Sequence, residues 1–106
     1  MSDQISETAA AYTTYEERLA AEAELIKRWI EPHPHKSGRA EAVLVQYGVS
    51  IWVLINYWES VDGDIMEVAR VYDLPAEAVR AALAYYRQNK YLIDARIALY
   101  DDEVSA

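Results

Sequence analysis

Two histidines one residue apart, His33 and His35, are the first side chains in this sequence that could hold a metal or move a proton. They lie in the run Glu31-Pro-His-Pro-His-Lys-Ser-Gly38, and the chain contains no cysteine. Tetrahedral zinc needs a fuller donor set than two imidazoles on a proline-rich loop, so the spacing reads as solvated loop. Asp62 and Asp64 flank Gly63 but lack the remaining ligands of a calcium loop, and turn formation with helix capping explains them. There is no glycine-rich phosphate loop and no nucleophile elbow. The expectation is a chain that is not an enzyme, with no catalytic residues, metal or cofactor.

Cations that could meet phosphate form the second group. Arg80 and Arg87 fall on one side of a run beginning at Pro75, beside Glu77, Ala81 and Ala84. Small alanines next to two arginines permit close approach to a nucleic-acid backbone. Lys36 and Arg39, with Lys27 and Arg28, cluster around the proline-rich loop. The candidate DNA-binding residues are therefore Arg80, Arg87, Arg39 and Lys36. Against them stands a formal net charge of −8. A duplex-binding protein ordinarily carries a basic footprint, so operator DNA is expected to be bound weakly.

A third group is apolar. The chain lacks Phe but has nine Tyr and three Trp. Ile51, Trp52, Leu54 and Trp58, with Tyr47 just upstream, make one helix apolar on more than one side. That breadth predicts a homodimer or partner interface over these residues.

The elements that must position these groups are mainly helical. Thr13 or Thr14 caps a helix over 14–29 carrying Tyr15, Leu19, Ala23 and Ile26 on a stripe, with acids first and Lys27 and Arg28 last. Ala42–Val45 reads as one arm of a small hairpin ended by Gly48. Ser50 opens the next helix, Asp64 caps another ending near Asp73, and Pro75 opens a third through Gln88. Asn89 suits a left-handed position before a last helix over 91–100. Helix, short turn and Pro-opened helix give the outline of a helix-turn-helix, with 75–88 as the recognition helix. The expected organisation is an N-terminal helical extension (1–30), a linker loop (31–39), a helix-turn-helix domain (40–100) and an acidic tail (101–106).

From about Gly38 to Ile97 the sequence resembles the bacterial and archaeal domain of unknown function 433. The resemblance rests on Val49-Ser-Ile-Trp-Val-Leu-Ile55, the turn Asp62-Gly63-Asp64, the pattern Ala69-x-x-Tyr72-x-Leu74, and Val79-Arg-Ala-Ala-Leu-Ala-Tyr-Tyr86. It implies a winged-helix-like three-helix core with a short β-hairpin, here with an extra N-terminal helix. It further implies an antitoxin partnered with a PIN-like ribonuclease toxin, in the manner of VapB-type antitoxins. The chain departs from the family at Gln46-Tyr47-Gly48, where a Gly-Thr-Arg turn is usual, and at Ser50, where a proline is usual.

The leading expectation is thus a non-enzymatic, antitoxin-type binding module that forms a homodimer and binds a toxin. The alternatives are a helix-turn-helix transcription regulator without a toxin, and a structural adaptor. The acidic termini favour a basic protein partner by charge complementarity. The opening residues lack the profile of a signal peptide, and the longest apolar stretch, Val49–Trp58, is too short to span a bilayer. A cytoplasmic location without membrane contact is expected.

Overall fold

The first helix begins where a threonine can hold its opening turn. Thr14 is extended, and its Oγ1 accepts the Glu17 N–H at 3.1 Å. Such a cap satisfies one of the donors left free at a helix start. The computed structural model describes residues 14–105, and the helix capped in this way, α1, is Tyr15–Trp29. Glu16 and Glu17 occupy its first turn and Lys27 and Arg28 its last, both matched to the helix dipole.

Ile30 takes extended backbone and ends the helix. Strand β1, Ile30–Glu31, pairs antiparallel with β2, Val43–Leu44, placing Ile30 opposite Leu44 and Glu31 opposite Val43. Between them, the His33 Nδ1 accepts the N–H groups of His35 and Lys36 at 2.9 and 3.0 Å. This ties the loop into a local turn before a 3₁₀ turn at Arg39–Glu41. The strand expected over Ala42–Val45 therefore exists, but its main partner lies before the loop rather than after it. The downstream side supplies a single bridge, Val43 to Ser50. Gln46 and Gly48, both at positive φ, fold the chain back so that the Leu44 N–H reaches the Val49 carbonyl at 2.9 Å.

Four more helices follow: α2 (Ile51–Ser60), α3 (Ile65–Tyr72), α4 (Ala76–Gln88) and α5 (Lys90–Ser105). The fold among the described residues is thus mainly α with one two-stranded antiparallel sheet. Asp64 caps α3 through Oδ1, which accepts the Glu67 N–H at 3.1 Å. Asp73 then adopts the left-handed conformation that ends α3, and Pro75 stands at the N-cap of α4. Ser50 caps α2 through its backbone alone. Asn89 is not left-handed as expected (φ −130°); its side-chain amide donates to the Tyr85 carbonyl and closes the joint between α4 and α5. Asp64→Ala is expected to cost about 1 kcal/mol, lowering Tm by roughly 4–8 °C in a thermal melt.

The core is assembled by α2, α3, α4 and α5 around Leu44, with Ile51, Leu54, Ile55, Val68, Val79 and Ile93 fully enclosed. Helix α4 is the centre, burying Ala78, Val79 and the whole stretch from Ala81 to Tyr85. One helix this enclosed must be covered on opposite sides by different neighbours. One of them is α1, which packs chiefly on α4 and so belongs to the domain rather than extending from it. The segment expected as an acidic tail is helical through residue 105, as the last turns of α5.

Candidate interaction surfaces

The face of α4 expected to meet DNA is occupied. Helices α1 and α4 run antiparallel, since Arg28 near the end of α1 lies 3.6 Å from Glu77 at the start of α4. At the other end, Arg87 donates from Nε and Nη2 to Glu22 at 3.0 and 2.7 Å. Ala81 and Ala84, on the stripe between Glu77 and Arg87, are fully buried yet stand outside the main core cluster. The small side chains permit close approach, but of α1 rather than of a groove. Arg80 remains exposed, while Arg87 is committed to an acid of its own chain.

Lys36 and Arg39 lie elsewhere. They line a cavity of about 500 Å³ between the proline-rich loop, α1 and α4, which neither Arg80 nor Arg87 lines. The four candidate DNA-binding residues therefore form no single surface. The Arg39 carbonyl accepts the Tyr85 hydroxyl at 2.7 Å, anchoring the loop to α4.

The expected interface residues also divide. Ile51 and Leu54 are interior to the chain, at 0% and 1% exposure, so a partner does not reach them in this fold. Trp52 is buried between Tyr100, 5.3 Å away between ring centroids, and the Arg96 guanidinium, 4.3 Å above its ring. Trp58 is half-buried against Tyr86 and beside Gly63, where an added Cβ would meet its ring at 3.5 Å. Tyr47 alone of the five is exposed, at the turn after β2. The apolar breadth of α2 is absorbed by α4, α5, α3 and the 3₁₀ turn of its own chain.

Two features were not anticipated. Arg96 Nε donates to Glu41 Oε2 at 2.9 Å, with both side chains mostly enclosed, while its Nη1 is buried without a partner among the described residues. The second is a stripe on α5. Ile93 and Ile97 are buried, and the same stripe continues through Tyr100 to Val104, which are exposed. The spacing i, i+4, i+7, i+11 carries one apolar line off the end of the core. Tyr100 also borders an aromatic groove of about 340 Å³ with Trp52, Tyr57 and Tyr72. Asp101 and Glu103 flank the stripe, and Asp102 lies on the opposite side of the helix. The period was visible in the sequence, but only a helix continuing past residue 100 brings it out.

Several ionisable groups are perturbed by neighbours. The Lys90 ammonium donates to Asp94 at 2.7 Å and to no acid beyond it, which raises its affinity for a proton and lowers that of Asp94. Burial raises Tyr85 and Tyr86, and burial followed by Tyr57 raises Tyr72. Glu67 is held low by its hydrogen bond from Arg70, which is raised in return. Among the described residues no three His, Cys, Asp or Glu side chains converge on a possible metal position, and no helix is long and apolar enough to cross a membrane.

No protein family, curated protein or solved structure matches this chain.

Proposed function

We propose that the chain is a non-enzymatic, antitoxin-type binding module whose α5 docks into an apolar, base-rimmed groove of a partner protein. The observation that carries this reading is the stripe Ile93–Ile97–Tyr100–Val104, buried at its start and exposed at its end. Helices recognised in grooves present anchors at this spacing. The flanking acids match a basic partner, which a PIN-like ribonuclease toxin would supply, and complementary charge speeds encounter and selects register. In the free state the same stripe pairs with a second copy of the chain, giving a cytoplasmic homodimer.

Weak, conditional contact with operator DNA is the second reading. The α3–turn–α4 arrangement supports it, with the left-handed Asp73 and Pro75 at the junction and Arg80 exposed. Contact through the stripe of Ala81 and Ala84 requires α1 to leave α4.

The test is the product of the adjacent reading frame. It is expected to be a basic ribonuclease that the wild-type chain inhibits. Val104→Glu should weaken that inhibition at least about tenfold, as loss of an interface anchor does, while thermal stability is retained. Sedimentation of the free chain should report a dimer for wild type and a monomer for Val104→Glu. A neighbour without nuclease activity, or equal inhibition by both proteins, would defeat the toxin reading.

A further inference from the structure

The cavity beside the proline-rich loop has the make-up of a small-molecule site. Its floor is apolar, formed by Ile26 of α1, Ile30 of β1, Ala42 and the ring of Tyr85. A volume of about 500 Å³ lies within the roughly 300–1,000 Å³ usual for ligand pockets. Two cations line it, Lys36 and Arg39, and neither has an ion-pair partner among the described residues. Cations left unpaired over an apolar floor are the polar complement such pockets use to orient a ligand.

The remaining lining groups narrow the ligand. Glu31 contributes one negative charge against the two positive charges of Lys36 and Arg39, so these cations exceed the lining acids by one. That balance fits a monoanion better than a dianion. The His33 Nδ1 is occupied as an acceptor of two backbone N–H groups, which places the ring proton of a neutral His33 on Nε2 as a further donor. The Arg39 backbone is fixed in place, while its side chain and that of Lys36 are exposed at the cavity's edge. The Arg39 carbonyl is tied to α4 by Tyr85, and the residue follows Gly38, whose φ of +104° a side chain would strain. From these groups we infer that the cavity binds an organic carboxylate with an apolar body, its carboxylate held by Lys36 and Arg39 and its hydrocarbon on Ile26, Ile30 and Ala42. This site is separate from the α5 stripe and does not depend on the partner reading.

Amide chemical shifts of ¹⁵N-labelled chain at about pH 7 provide the test, with octanoate, octanol and inorganic phosphate as probes. Octanoate is expected to shift Ile30, Gly38, Arg39 and Ala42 saturably. Octanol shares its hydrocarbon and phosphate its charge, and each should bind at least roughly tenfold more weakly. The Lys36→Ala, Arg39→Ala pair should lose at least about tenfold in octanoate affinity with the rest of its spectrum unchanged. Octanol binding as well as octanoate would overturn the proposal in favour of a plain apolar groove. Phosphate binding as well would reduce the site to a simple anion patch, and shifts confined to α5, or none, would overturn it outright. The three-probe comparison is made on the wild-type chain, so the result stands whatever the double variant does to folding.

Discussion

Glu41→Ala is expected to destabilise the chain by about 2–3 kcal/mol, while Glu41→Leu combined with Arg96→Met leaves stability within about 1 kcal/mol of wild type. The reason is the enclosure of the pair, whose side chains keep only 15% and 19% of their surface. Removing one partner of a buried pair strands the other charge, at about 3–5 kcal/mol when burial is complete. The residual exposure here scales that down. Arg96 already leaves Nη1 unsatisfied, so losing Glu41 would leave its guanidinium with the Trp52 ring as its chief favourable contact. That contact supplies about 0.5–2 kcal/mol, too little to hold a charge indoors. Removing both charges removes the need. Urea denaturation of Glu41→Leu, Arg96→Met and the double variant gives the coupling, and a double variant as unstable as the sum of these singles would refute the account.

Leu54→Ala should cost about 2–5 kcal/mol, and the loss should be the same at every protein concentration. Leu54 is 1% exposed within one chain, so truncation leaves a cavity that its neighbours fill only in part. For a domain whose total stability is about 5–15 kcal/mol this approaches unfolding at physiological temperature. Thermal melts over a tenfold range of concentration separate two origins of the effect. A residue at a dimer interface makes the Tm difference depend on concentration through mass action, whereas a core residue does not. A concentration-dependent difference would return Leu54 to an interface.

The local signals were legible because they are chemically self-contained. Thr14, Asp64 and Pro75 each mark a helix start through a bond or a backbone angle set within three residues, and each marks one here. The partner of β2 was not legible. Pairing Ile30 with Leu44 is a long-range choice that two residues cannot announce, and the loop between them looked like a boundary. The period places Arg80, Ala81, Ala84 and Arg87 on one side of α4 and suggests an outer face, whereas Ala81 and Ala84 are fully buried. Small side chains admit a helix of the same chain as readily as a phosphate backbone. The end of α5 was masked by physics of a different kind. Asp101, Asp102 and Glu103 oppose the helix dipole at a C-terminus, which argued for stopping near residue 100. The acids tolerate that cost in a helix that runs to Ser105. Breadth of apolar surface, which points to an interface at Ile51 and Leu54, is shared by any helix at the centre of a small domain.

Helix α1 fully buries none of its own side chains, although it encloses Ala81 and Ala84 of α4. Its docking rests on half-buried contacts at Leu25, Ile26 and Trp29 and on solvent-facing ion pairs, each worth about 0–1 kcal/mol. Segments held in this way open at a fraction of the free energy needed to unfold the whole. The amides of α1 should therefore exchange with solvent well before those of α4, and the two-residue β1 sets how far along the chain that opening can spread. Each such excursion uncovers a strip of alanine on α4 while leaving the core intact. Release is therefore graded: α1 is expected to part from α4 before the core opens.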